Sequence, residues 1–161
     1  MEKLCEEIEF TGKKAKENNL VLTTVYWGGG TPTTLDADQL DKVLTAIEDN
    51  FDLSQCQEYT VEAGRPDTIT QEKLEVLKRH GVNRISINPQ TFNDDVLREI
   101  GRKHTTELTV EKYQLARKLG FDSINMDLIA GLPTDTFESF RNSVDSAIAL
   151  GAENITVHTL A

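Results

Sequence analysis

Short apolar-rich runs at 21–27, 58–63, 84–88, 123–128 and 154–158 read as strands, and the segments between them repeat apolar residues at the three- and four-residue spacing of helices. Leu40, Val43, Leu44 and Ile47 form one such face within 36–49. Comparable faces run over 70–80, 107–119 and 136–150, with a shorter piece at 93–100. A further amphipathic helix over 3–18 sets Leu4, Ile8 and Ala15 among charges. Gly81, Gly120 and Gly151 each follow a basic or apolar last turn, where a helix closes in the left-handed conformation. Strands separated by single helices pair in parallel through right-handed crossovers, which leaves an open doubly wound sheet or a (β/α) barrel.

Alternation within the strands decides between these. Parallel strands covered on both faces are continuous apolar runs, yet four of these five alternate. Tyr59, Val61, Ile85, Ile87, Ile124, Met126, Leu128, Ile155 and Val157 fall on one side. Thr60, Glu62, Ser86, Asn88, Asn125, Asp127, Thr156 and His158 fall on the other. Crossover helices must cover the apolar side, so Ile85, Ile87, Met126 and Val157 are expected beneath helices, with Glu62, Asn88, Asp127 and His158 in one lumen. A filled barrel is layered with Val, Ile and Leu, so a lumen of hydroxyls, amides and carboxylates reads as a ligand cavity in a partial barrel. Glu62 and Asp127 then require a cation, hydroxyls or amide donors, because an unpartnered buried carboxylate costs several kcal/mol. The alternative is an internal ion-pair network with Arg65, Arg84 or Lys103.

The first strand runs into Gly28-Gly29-Gly30-Thr31-Pro32-Thr33. Three consecutive glycines lose much entropy on ordering and pack nothing, which is worthwhile where a ligand approaches the backbone. The order strand, glycine turn, helix sets those backbone groups at a strand's carboxyl end, where α/β proteins bind ligands.

The charge balance narrows the partners. With 17 Lys and Arg against 27 Asp and Glu, the net charge of -10 gives no electrostatic footprint for nucleic acid or an anionic membrane surface. The 161 residues fit one domain. Cys5 and Cys56 are too few for a disulfide framework and too far apart in sequence for a CxxC metal motif, and both are expected to be ordinary half-buried residues of a cytoplasmic protein. The first 20 residues are rich in Lys and Glu and do not form a secretory signal. His80 reads as structural at a helix end, His104 as part of a solvated basic loop, and no His or carboxylate spacing matches a metal site.

Four segments in register carry a resemblance: Trp27-Gly28-Gly29-Gly30-Thr31-Pro32-Thr33; Val61-Glu62; Asn88-Pro89-Gln90 with Arg102 twelve residues on; and Asn125-Met126-Asp127-Leu128-Ile129-Ala130-Gly131-Leu132-Pro133. The chain resembles the radical SAM enzymes of the oxygen-independent coproporphyrinogen III oxidase group. Glu62-Ala63-Gly64-Arg65-Pro66-Asp67 and Arg84-Ile85-Ser86-Ile87-Asn88-Pro89-Gln90 are most like its HemZ branch. The resemblance implies an α/β fold, a six-stranded partial TIM-like barrel of which this chain supplies strands two to six with outer helices. It also implies S-adenosylmethionine held beside a [4Fe–4S] cluster, with Gly29, Gly30, Thr31, Glu62, Gln90, Arg102, Asp127 and Ala161 as the cofactor-binding positions. The family can hold two such cofactors, and these positions can be divided between them.

Nothing here matches the family's CxxxCxxC cluster motif, so residues 1–161 are expected to be a piece of the radical SAM core without the cluster loop or the carboxyl-terminal substrate region. The activity implied for the whole protein is oxidative decarboxylation of tetrapyrrole propionates in haem biosynthesis, with a reductant such as flavodoxin or ferredoxin. The other implied reading is a haem carrier of the same family without oxidase activity. The piece itself is expected to be catalytically silent, and its open strand edges predict self-association.

Overall fold

Five parallel strands lie side by side in the order in which the chain makes them, β1 (Thr24–Trp27), β2 (Glu58–Gly64), β3 (Arg84–Ile87), β4 (Ser123–Ala130) and β5 (Asn154–Thr159). The computed structural model describes residues 1–160. Helices fill the crossovers: α2 (Ala37–Asn50), α3 (Gln71–Arg79), the short α4 (Asp94–Glu99), α5 (Thr106–Lys118) and α6 (Phe137–Leu150), with α1 (Glu2–Glu17) ahead of the first strand. A doubly wound sheet would reverse its strand order at a switch point. Strictly sequential order means that the chain winds one way, as a barrel does. Tyr26 of β1 and His158 of β5 line the same cavity. In a flat sheet those strands would be roughly 19 Å apart at four strand spacings, so the sheet curls into a half-barrel.

The chemistry of the ends agrees with the sequence. Asp36 forms a reciprocal capping box with Gln39 at the start of α2, and Thr70, Asn93, Thr105 and Thr136 each accept a backbone N–H from the first turn of the helix that follows. Gly81, Gly120 and Gly151 all take positive φ after their helices. Val61, Ile85, Ile87, Ile124, Met126 and Leu128 are fully buried on the convex side of the sheet against Leu40, Leu44, Leu74, Leu77 and Ala116 from the helices. Each such side chain contributes about 1.5–3 kcal/mol on leaving water, which makes this layer the main source of stability. Among the described residues no helix is long and apolar enough to cross a membrane.

Three expectations change. Strand β1 begins at Thr24 because its partner β2 begins at Glu58; Leu20 and Val21 lie outside the ladder and are 64% and 60% exposed. Val157 is not covered by a helix but 46% exposed, because β5 is an edge strand and only β4 pairs with it. Asn88 does not join the lumen residues. Pairing between β2 and β3 shifts at Glu62 and Gly64, the ladder ends at Ile87, and the Asn88 Oδ1 is buried without a partner.

Candidate functional site

The concave face of the sheet encloses a cavity of about 280 Å³ lined by Tyr26, Thr60, Glu62, Arg84, Ser86, Asn125, Asp127, Thr156 and His158. Every one of them occupies the polar parity of its strand, so the alternation in the sequence is what assembles the site. At the strands' amino ends the cavity is closed by an Arg84–Glu58 ion pair of 3.0 Å, with Thr60 donating to the same carboxylate at 3.0 Å. The Thr60 hydroxyl and then the Arg84 guanidinium hold the Glu58 carboxyl below its usual range. Arg84 is therefore engaged at the base of the lumen, and Arg65 pairs with Asp67. Neither neutralises Glu62 or Asp127, so the ion-pair network considered as an alternative does not form through them.

Glu62 is held by other means. Its carboxylate accepts from the Tyr26 hydroxyl and from the Gly29 N–H at 3.3 Å. The Tyr26–Glu62 hydrogen bond, followed by burial and by the nearby charges of Glu62 and Asp127, pushes the Tyr26 phenol up to about 12. A Cβ on Gly28 would come within 2.9 Å of the Glu62 carboxyl and 2.6 Å of the Tyr26 ring. Glycine at this position thus lets the carboxylate sit against the backbone. Gly29 has φ +102, and neither it nor Gly30 has anything within 4 Å of where a Cβ would be, so the turn presents bare backbone to open space. Thr31, at φ +41, packs against Gly64. Below the turn the buried Thr33 hydroxyl donates to the Ala63 carbonyl at 2.5 Å, and Lys73 Nζ donates to the Thr33 carbonyl at 2.7 Å.

On the other side Asp127 accepts from Asn125 Nδ2 at 2.7 Å, and the Asn125 amide oxygen accepts from Thr156 at 3.2 Å. His158 Nε2 lies 3.8 Å from the second Asp127 oxygen. Gln90, in the left-handed region at φ +69, is tied to the end of β4: its N–H donates to the Asp127 carbonyl at 3.0 Å and its carbonyl accepts from the Ile129 N–H at 2.8 Å. A non-glycine residue in this conformation is unfavourable unless its surroundings fix it, and such residues cluster where ligands bind.

Arg102 is not among the residues lining the cavity. It is half-buried in the loop between α4 and α5, and its guanidinium has no hydrogen-bonded or ion-paired partner among the described residues. Burial, together with the like charge of Arg65, lowers its pKa from the usual arginine value. A desolvated, unpaired guanidinium is costly and suits an anion supplied from outside. Ala161, the remaining position implied by the resemblance, lies outside the described residues.

His104 is not in a solvated loop. It is 2% exposed, with Nε2 3.1 Å from the Pro89 carbonyl and Nδ1 unpartnered. Burial holds its pKa below the ordinary histidine value. Its folded pKa is depressed, so the stabilisation is complete above the unfolded value of about 6.5 and is lost as pH falls below it. Thermal melts of the wild type should therefore drop more steeply between about pH 6.5 and 5 than those of His104→Gln, and equal slopes would refute this.

Tyr26 was missed among the lumen residues. Thr24 and Tyr26 share the polar parity, but the apolar run around them conceals the alternation. His80 is structural as expected: both ring nitrogens lie 2.9 Å from carboxylates of α2, Asp41 and Glu48. Cys5 and Cys56 are both half-buried and line different depressions, the first beside Lys42 and Asp49 and the second beside Tyr59 and His80.

Fold and lumen together define a curled (β/α) half-barrel whose concave face is lined by polar and charged side chains. The model of the Radical SAM superfamily matches residues 2–147, and the chain belongs to that superfamily. It is 48% identical over 155 residues to the oxygen-independent coproporphyrinogen-III oxidase-like protein HemZ of Bacillus subtilis (strain 168), which covers 96% of this chain and 31% of that protein. It is 40% identical over 158 residues to the heme chaperone HemW of the same organism, covering 96% of this chain and 41% of that one. The structure of coproporphyrinogen III oxidase (HemN) from Escherichia coli, a radical SAM enzyme, matches with TM-score 0.81 and 33% identity over 88% of this chain and 32% of that chain. The chain thus spans between 31% and 41% of the length of these curated relatives.

Radical SAM proteins use S-adenosylmethionine with a [4Fe–4S] cluster. The lumen's carboxylates, the bare glycine turn and the unpaired Arg102 fit the chemistry of the first, a zwitterion with a sulfonium and ribose hydroxyls. The described residues do not fit the second. Such a cluster takes several thiolates, while Cys5 and Cys56 lie apart and no group of three His, Cys, Asp or Glu among the described residues could hold a metal ion.

Proposed function

We propose that this chain holds S-adenosylmethionine in a radical SAM protein acting on tetrapyrroles, and that the whole protein carries out oxidative decarboxylation of coproporphyrinogen-type propionates to vinyl groups. The observation that carries the cofactor assignment is the convergence of Glu62 and Asp127 on one lumen beside the open backbone of Gly29 and Gly30. In this reading the glycine-turn carbonyls and Thr31 receive the cofactor's ammonium, Glu62 and Asp127 accept from ribose hydroxyls, Gln90 bridges as donor or acceptor, and Arg102 binds a carboxylate as a charge-assisted fork. Residues 1–161 are in this reading a portion of the radical SAM core, and the cluster's thiolates come from elsewhere in the protein. When bound, S-adenosylmethionine supplies the oxidising equivalent after one-electron reduction, for which a flavodoxin- or ferredoxin-type reductant is the source. This chain's residues orient the cofactor and exclude water.

The tetrapyrrole assignment is supported by the HemZ and HemN relatives, and the second reading, a haem carrier, by the 40% identity to HemW. Anaerobic incubation of the protein carrying this core with its cluster, S-adenosylmethionine, a reductant and coproporphyrinogen III separates them. Release of carbon dioxide with vinyl formation, reduced at least tenfold by Asp127→Asn, is the expected result. Stoichiometric haem binding without decarboxylation favours the carrier, and the absence of both decarboxylation and haem binding would overturn both readings.

A further inference from the structure

The segment from Pro89 to Phe92 carries Gln90 between the third and fourth strands, and several elements grip it residue by residue. Ser143 of α6 accepts from the Phe92 N–H at 2.9 Å and lies 3.1 Å from the Thr91 hydroxyl. Gln90 is stitched to β4 by its N–H and carbonyl. The remaining contact comes from His104, which reaches the Pro89 carbonyl from the loop that also carries Arg102, two residues earlier. A carbonyl only accepts, so Nε2 carries the proton, and in a neutral imidazole Nδ1 is then an acceptor without a proton. That nitrogen is buried and has no partner. A core residue chosen for packing alone would be apolar and would avoid this cost.

We propose that His104 is a positioning residue for the cofactor: its Nε2–H, held on the Pro89 carbonyl, locks the left-handed Gln90 and ties it to the Arg102 loop. The inference rests on the reading of Gln90 and Arg102 as cofactor contacts. It adds a residue that touches no ligand and has no place in that set. Three clamps from three elements over-determine a backbone conformation that would otherwise relax. Removing one lets Pro89 and Gln90 move by the fraction of an ångström that a preorganised site does not tolerate. The same hydrogen bond spans the gap between the β3 terminus and the loop ahead of α5, so both ligand-facing side chains shift together when it is lost.

The full chain tests this with His104→Ala and with His104→Gln, whose side-chain amide can donate from near the Nε2 position. Hydrogen exchange at the Gln90 and Ile129 amides reads the lock directly, and equilibrium dialysis with S-adenosylmethionine reads its consequence. His104→Ala is expected to speed exchange at both amides by about tenfold and to weaken binding by a similar factor, the worth of one good hydrogen bond. His104→Gln is expected to restore both to within about threefold of wild type. Exchange at these amides unchanged in a folded His104→Ala, or Gln behaving like Ala in a folded protein, would overturn the proposal. Wild-type chain that fails to bind S-adenosylmethionine would instead count against the cofactor reading, and the exchange result would still decide the role of His104. Should His104→Ala not fold, the comparison of His104→Gln with a His104→Leu variant on the same two readouts decides.

Discussion

Glu62→Ala is expected to weaken S-adenosylmethionine binding by about a hundredfold while leaving the fold in place. A hydrogen bond to an ionised group is worth about 1.5–3 kcal/mol, and two such bonds to vicinal hydroxyls comfortably reach the ~2.7 kcal/mol that a hundredfold requires. The carboxylate faces the lumen and, among the described residues, accepts from Tyr26 and Gly29, both at the exposed rim, so its removal opens no core cavity. Gly28→Ala provides the companion test. The added methyl would meet the Glu62 carboxyl and the Tyr26 ring, both movable side chains, and so should displace the carboxylate at little cost to stability. Calorimetric titration of both variants, alongside their melting temperatures, checks the pair. Wild-type affinity in Glu62→Ala would remove this residue from the site, whereas loss of binding with collapse of the fold would make its role structural.

The largest effect on stability is expected from Phe121→Ala. Phe121 is fully buried where α5 delivers the chain to β4, with Lys78 Nζ 5.1 Å from the ring centroid on one side. Its backbone is fixed at both ends, by its N–H on the Ala116 carbonyl and by Arg117 Nη1 on its own carbonyl at 3.1 Å, so the shell cannot close on the space left behind. Deleting a buried phenyl under those conditions costs about 3–5 kcal/mol, a large part of the ~5–15 kcal/mol available to a domain. Phe137, 84% exposed at the start of α6, is the control: its replacement by Ala should change stability by less than about 0.5 kcal/mol. Urea denaturation should show a lowered midpoint at constant slope for Phe121→Ala only. A shift below about 1 kcal/mol would mean that the sheet and α5 repack freely around this position.

The lumen was legible because alternation along a strand has one geometric meaning. Thr60 and Glu62, Asn125 and Asp127, and Thr156 and His158 all arrive on the concave face that their parity assigns. The alternation misled where a strand stopped obeying it. Asn88 follows the last paired residue of β3 and precedes a proline that cannot donate to a ladder, so its side chain leaves the alternating pattern. Val157 keeps its parity but lacks cover, because coverage depends on which helix packs beside an edge. Partners across the lumen were not legible either. Arg84 pairs with Glu58 rather than with Glu62 or Asp127, although its register partner on β2 is Thr60, two residues from either glutamate, so strand alternation alone leaves the choice open. His104 was read as solvated from its basic neighbours. Its burial follows from the turn of the chain between α4 and α5, which no local pattern reports.

Amide chemical-shift mapping of the full chain on addition of S-adenosylmethionine tests the central claim most directly. Saturable shifts at Gly29, Gly30, Thr31, Glu62, Gln90, Arg102 and Asp127, with none around the depression at the opposite end of the strands formed by Cys56, Tyr59 and His80, are the predicted result. Shifts confined to that opposite depression, or no saturable shift in a folded chain, would contradict it.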